Sequence, residues 1–105
     1  MRVELLFADG DPAAMPARQN LVEVLTEDAF ETPIQMIAVA SQADAELLGM
    51  RGSPMIRIDG ADIDTEWDGP IGLASRAYGA DVVPGKPLIR RAVERARGWG
   101  HGRRG

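Results

Sequence analysis

The feature that most constrains this chain is the junction Leu5-Leu6-Phe7-Ala8-Asp9-Gly10-Asp11-Pro12. From Arg2 to Ala8 the residues alternate and then turn continuously apolar through Leu5, Leu6 and Phe7, the pattern of a central strand covered on both faces. Gly10 breaks the run. Asp11 then suits an N-cap, and Pro12 the first helical position, where a missing amide proton is no loss. Ala14, Ala17, Leu21, Val24 and Leu25 follow at helical spacing, with Leu21 and Leu25 one turn apart on the apolar face. Pro16 falls within the first turn, which a helix accepts only by starting late or bending there.

The remainder repeats the alternation. Glu31-Thr32-Pro33 ends the first unit, and Ile34 to Ala40 reads as a second strand. Ser41 with Asp44 resembles a capping box that opens a short helix through Leu47 and Leu48 to a stop at Gly49. A strand-helix-strand unit of this size implies a parallel pair with a right-handed crossover. After Arg51-Gly52-Ser53-Pro54, apolar alternation on both sides of Asp59-Gly60 signals a hairpin, which makes the second half antiparallel. Residues 64–85 read as loop with a helical turn around Gly72 to Tyr78. Pro87 to Arg97 places Leu88, Ile89, Ala92, Val93 and Ala96 on one face of a terminal helix, with Arg90, Arg91, Arg95 and Arg97 mostly outside it. The expected fold class is α/β, in the order β-α-β-α-β-β-α with a four-stranded mixed sheet. It forms a single domain over residues 1–97, followed by a flexible Gly/Arg tail over 98–105. Met15, Met36, Met50 and Met55 are expected as core filler.

Composition removes whole classes of chemistry. The 105 residues contain no cysteine and one histidine, His101 in the tail. Disulfides, thiolate ligands, thiol nucleophiles and dithiol exchange are excluded together, and a histidine-rich zinc site with them. No apolar run approaches the roughly 20 residues of a membrane span. Met1-Arg2 leads directly into strand-like sequence without an apolar leader, so a cytoplasmic protein with no membrane association is expected. Charge is divided: residues 1–85 hold five arginines against fifteen acids, while residues 86–105 hold seven bases against Glu94 alone. The basic end reads as lying against its own acidic body or a second copy, which makes a homodimer reasonable. No aromatic interleaving accompanies it, which argues against a nucleic-acid partner. The acids from Asp59 to Asp68 invite a calcium loop beginning at Asp64, but its twelfth position is Ser75 instead of a bidentate Glu. A solvated acidic loop is expected, with no metal and no cofactor.

An X-Pro pair directly before the third strand, within this element order, resembles the thioredoxin fold. More narrowly, the relevant residues are Val3-Glu4-Leu5-Leu6-Phe7, Gly10, Pro12, Pro16-Ala17, Leu48 and Gly52-Ser53-Pro54. Arg57-Ile58-Asp59-Gly60-Ala61-Asp62, Gly72-Leu73 with Arg76 and Tyr78, and Leu88-Ile89-Arg90 complete the set. Together they resemble the small thioredoxin-like group of DF-family (seleno)proteins, over about residues 2–96. The resemblance implies a cis Ser53–Pro54 bond facing the N-terminus of the first helix. It also implies redox positions where this chain carries Asp11 and Ser75 instead of Cys or selenocysteine, so the family's thiol chemistry does not transfer.

Asp11 reads in two ways. Unpaired amides and the dipole at a helix start favour an ionised carboxylate that holds a cation or acts as a weak base, whereas a plain Asp-Pro N-cap explains the same residue. Arg76, Tyr78 and Trp67 either line a pocket in which Arg76 holds an anionic group or close the core under a long loop. Two functions stay open. One is a cysteine-free, non-redox protein that binds a small molecule or a protein partner at the Asp11/Pro54 surface, with Pro12, Ser53, Trp67 and Ser75 contributing. The other is a small-molecule enzyme of isomerase, cyclase or lyase type, with Asp11 as acid/base and Arg76 and Tyr78 orienting the substrate.

Overall fold

Strand β1 (Val3–Ala8) is the hub of the main sheet. In the computed structural model, which describes residues 1–28 and 31–98, β1 pairs in parallel with β2 (Ile34–Val39), from Val3 opposite Ile34 to Ala8 opposite Val39. On its other side β1 pairs antiparallel with β4 (Met55–Ile58), which turns through Asp59-Gly60 into β5 (Ala61–Asp62). The resulting four-stranded mixed sheet has the order β2-β1-β4-β5. Asp59 and Gly60 both hold positive φ, 53° and 85°, as a two-residue hairpin turn of the right twist requires.

The period-two alternation of β1 sends its side chains to two cores. Val3 and Leu5 pack with Ala17, Leu21, Val24 and Leu25 of α1 (Ala14–Glu27) and with Ile89, Ala92 and Val93 of α3 (Lys86–Ala96). Leu6 faces the opposite way, against Val39, Met50, Met55 and Ala45 of α2 (Gln42–Leu48). The sheet is therefore covered on both faces, which is why β1 reads as a nearly continuous apolar run. Ser41 caps α2 by accepting from the Asp44 N–H at 3.1 Å, and Gly49 ends it in the left-handed region.

Three elements differ from the sequence reading. Helix α1 begins at Ala14 with Ala13 in the cap position, so Asp11 and Pro12 belong to the preceding turn. The late start places Pro16 third in the helix, where its missing N–H would have no intrahelical partner. The segment expected to make a helical turn contains strand β6 (Gly72–Ser75), which pairs in parallel with a short β3 (Arg51–Ser53). Among the described residues the expected four-stranded mixed sheet is present, and β3 and β6 add a two-stranded sheet beside it. Only Met50 and Met55 are core residues. Met15 points away from the buried face of α1 and Met36 sits on an edge strand, 62% and 36% exposed. The Ser53–Pro54 peptide is cis. Among the described residues no helix is long and apolar enough to cross a membrane. The Gly/Arg tail beyond Gly98 lies outside the described residues.

Candidate functional site

The junction after β1 is built by backbone bonds that reverse the chain tightly. The Asp11 N–H donates to the Ala8 carbonyl at 2.9 Å, with Gly10 at φ 83° between them. Asp11 Oδ1 accepts from the Ala13 N–H at 2.9 Å, so the carboxylate closes an Asx-type turn ahead of the helix instead of capping α1 itself. Its other oxygen, Oδ2, accepts from the Ser53 hydroxyl at 2.5 Å. Ser53 Oγ in turn accepts from the Ala8 N–H at 2.8 Å. One buried hydroxyl thus joins the end of β1, the end of β3 and the turn carrying Asp11, and it uses its donor and one acceptor position in doing so.

The segment after β6 holds the two carbonyls that flank the Ser53–Pro54 bond. The Arg76 N–H donates to Ser53 O at 3.1 Å, and the Tyr78 hydroxyl donates to Pro54 O. Pro54 is buried, Asp11 is half-buried, and Pro12 is exposed. Ser75 lies opposite Ser53 in the β3–β6 register and is exposed. Asp11, Ser53, Pro54 and Ser75 therefore share one end of the fold.

Arg76 and Tyr78 come together with Trp67, but they face inward. The Arg76 guanidinium, 1% exposed with its residue, grips Asp62 bidentately through Nη1–Oδ2 at 2.8 Å and Nη2–Oδ1 at 3.2 Å. Nη1 also donates to Arg51 O at 3.2 Å, while Nε has no partner. The guanidinium carbon lies 4.9 Å from the Trp67 ring centroid and 4.7 Å from that of Tyr78, a stack that suits a planar cation. The Trp67 indole N–H donates to Arg51 O at 3.0 Å. Burial pushes the Tyr78 phenol well above its ordinary pKa; the Arg76 charge opposes this, and Asp62 and Asp64 reinforce it. A phenol in that state keeps its proton at neutral pH and is poorly suited to acid/base turnover.

Two residues to which the sequence assigned no role at the site complete the arrangement. Asp62 belongs to the acidic hairpin read there as solvated, yet it is the counter-ion of the buried Arg76. Gly52, at φ 89°, lets Arg76 approach its backbone: a Cβ there would stand 3.0 Å from Arg76 Cβ. A glycine directly before Ser-Pro was the available signal for the second feature. Nothing local signalled the first.

Two surface cavities lie away from Asp11. One of about 270 Å³ sits between the β4–β5 hairpin and α3, lined by Ile58, Asp59, Ala92 and Arg95 among others. The other, about 410 Å³, borders Tyr78, Asp64, Leu88 and Arg91 at the start of α3. Among the described residues no group of three or more His, Asp or Glu side chains comes together as a metal site. Comparison with protein-family models, with curated proteins and with solved structures finds no match to this chain.

Proposed function

We propose that this chain is a non-redox, thioredoxin-like protein that binds a small molecule or a protein partner at the surface around Asp11, where Pro12 and Ser75 are exposed and the Ser53–Pro54 bond lies buried beneath. The observation that carries this reading is the 2.5 Å hydrogen bond from Ser53 to Asp11, between residues 42 apart in the sequence. It sets a half-exposed carboxylate against the Ser-Pro bond, where the resembling DF-family (seleno)proteins would carry their reactive residue. With no cysteine in the chain, that address serves recognition. Both Asp11 oxygens already accept hydrogen bonds from the protein, Arg76 is spent on Asp62, and Tyr78 holds Pro54 O. These commitments favour binding over acid/base turnover. The exposed Met15, four residues beyond Asp11, suits a ligand with an apolar part beside a hydrogen-bond donor.

Amide chemical-shift mapping with a fragment library and a displayed-peptide library tests the reading. Binders are expected to move the amides of Asp9, Asp11, Ala13, Ser53 and Ser75, and Asp11→Ala is expected to lose them while the fold persists. Binders that map only to the cavity beside Tyr78 and Arg91, or a substrate whose turnover Asp11→Asn abolishes, would overturn it.

A further inference from the structure

Helix α3 ends beside the cavity that separates it from the β4–β5 hairpin. Ala92 and Ala96 of the helix and Ile58 and Ala61 of the hairpin line this space of about 270 Å³, together with Asp59 and Arg95 among others. An apolar cavity of about 150 Å³ already holds a benzene ring, so the space here admits a larger, bicyclic one. Arg95 Nη2 donates to the Ile63 carbonyl at 3.2 Å, which fixes a planar cation at the cavity wall, a good neighbour for an aromatic face. The helix stops in a turn that reverses the chain. Gly98 stands at φ 77°, in the left-handed region, and its N–H donates to the Arg95 carbonyl at 3.0 Å, two marks of a Schellman ending. In that motif an apolar residue directly after the glycine commonly packs back on the final turns of its own helix. Here that residue is Trp99.

We propose that the indole of Trp99 docks in the cavity between α3 and the β4–β5 hairpin, so that the segment following α3 closes it. Tethering selects this occupant. Trp99 lies three residues beyond Ala96, itself a wall of the cavity, and so short a link holds the ring at an effective concentration of about a millimolar or more. Charge selects it too. Arg103 and Arg104 follow within about 17 Å of extended chain from Gly98, while the hairpin and the loop after it carry Asp59, Asp62, Asp64, Glu66 and Asp68. The same segment therefore brings an aromatic ring to the cavity and a positive charge to the acidic surface beside it. Gly100 and Gly102 are costly to order, so burial of the indole supplies most of the stabilisation. This contact is independent of the Asp11 surface, and either can fail alone.

Solution NMR of the full chain tests it. The sequence holds two tryptophans, and Trp99→Ala identifies which indole resonance belongs to Trp99. Nuclear Overhauser contacts are expected from that indole to the methyl groups of Ala61 and Ala92, and Trp99→Ala is expected to lower Tm by about 4 °C. Ala96→Arg alters an exposed helical position, so the variant should fold, as circular dichroism can verify. Its long side chain is expected to fill the cavity and abolish the Trp99 contacts. An indole without contacts to the hairpin or to α3 overturns the proposal, as does a Tm that Trp99→Ala leaves unchanged. So do Trp99 contacts that persist in Ala96→Arg, or contacts that a mixture of labelled and unlabelled chains traces to a second copy.

Discussion

Ser53 joins three segments through a single hydroxyl, and its removal therefore leaves more than one group unsatisfied. In Ser53→Ala the Ala8 N–H and one Asp11 oxygen lose their partner at a position 1% exposed. Stranding buried polar groups costs about 1–3 kcal/mol. Asp11→Asn keeps an acceptor for Ala13 and presents an amide donor to Ser53 Oγ, so its cost is expected to be smaller. Chemical denaturation of the two variants measures the order, and an Asp11→Asn loss exceeding that of Ser53→Ala contradicts it. Arg76 and Asp62 give a second ordering. Their side chains are 0% and 18% exposed, and removing one member of a buried pair costs about 3–5 kcal/mol because the other charge stays behind. Asp62→Ala strands the cation, whereas Arg76→Met leaves an apolar side chain between Trp67 and Tyr78. Asp62→Ala is expected to be the more destabilising, and equal losses would mean that the guanidinium finds water. Asp11, Ser53, Arg76 and Tyr78 were each legible as singular residues in the sequence. Their grouping was expected from the resemblance alone, and the hydrogen bonds that join them were not legible, because each link crosses many residues and no local periodicity encodes it.

At the scale of elements, legibility followed locality. The junction after β1, the capping box of α2 and the Asp59-Gly60 turn are short-range signals, and each element they predict is present. Strand β6 was missed because Gly72-Leu73-Ala74-Ser75 has no alternation of its own and becomes a strand through parallel pairing with Arg51 to Ser53. The docking of α3 on α1 adds a cluster of charges that sequence spacing on one helix does not reveal. Lys86 meets Glu23 and Glu27, and Arg90 bonds Glu27. Hydrogen bonds from Gln19 and Lys86 hold Glu23 below the ordinary carboxyl pKa of 4.5, and the Arg90 bond does the same for Glu27. A folded-state pKa lower than the unfolded one gives stability that is present above pH 4.5 and lost as the pH falls through the folded value. These side chains are solvated, so the effect is small and screened by salt. Glu27→Gln is expected to lower Tm slightly at neutral pH, with the difference vanishing in acid or in concentrated salt. A difference that survives both would point to packing instead of charge.

Across the whole molecule, Tyr78 is where the two sheets and the helical core meet. Its ring belongs to the core shared by β1, α1 and α3, its face carries Arg76, and its hydroxyl holds Pro54 O between β3 and β4. Ionising the phenol would place a charge inside that core and remove the donor on which Pro54 O depends. Because burial raises its pKa above the ordinary 10.0, the folded chain keeps a proton that the unfolded chain releases. Stability from this source is complete below pH 10 and declines as the pH rises beyond it. For a chain of 105 residues a cooperative transition is expected, and the sequence holds one tyrosine, so tyrosinate absorbance reports on Tyr78 alone. That absorbance is expected to rise together with loss of circular dichroism during alkaline unfolding. Tyr78→Phe removes the titration while stranding the Pro54 carbonyl, and it is expected to be less stable at neutral pH by about 1–3 kcal/mol yet flatter in its alkaline profile. A phenol that titrates near pH 10 while circular dichroism stays native would show that the ring is not locked between the two sheets.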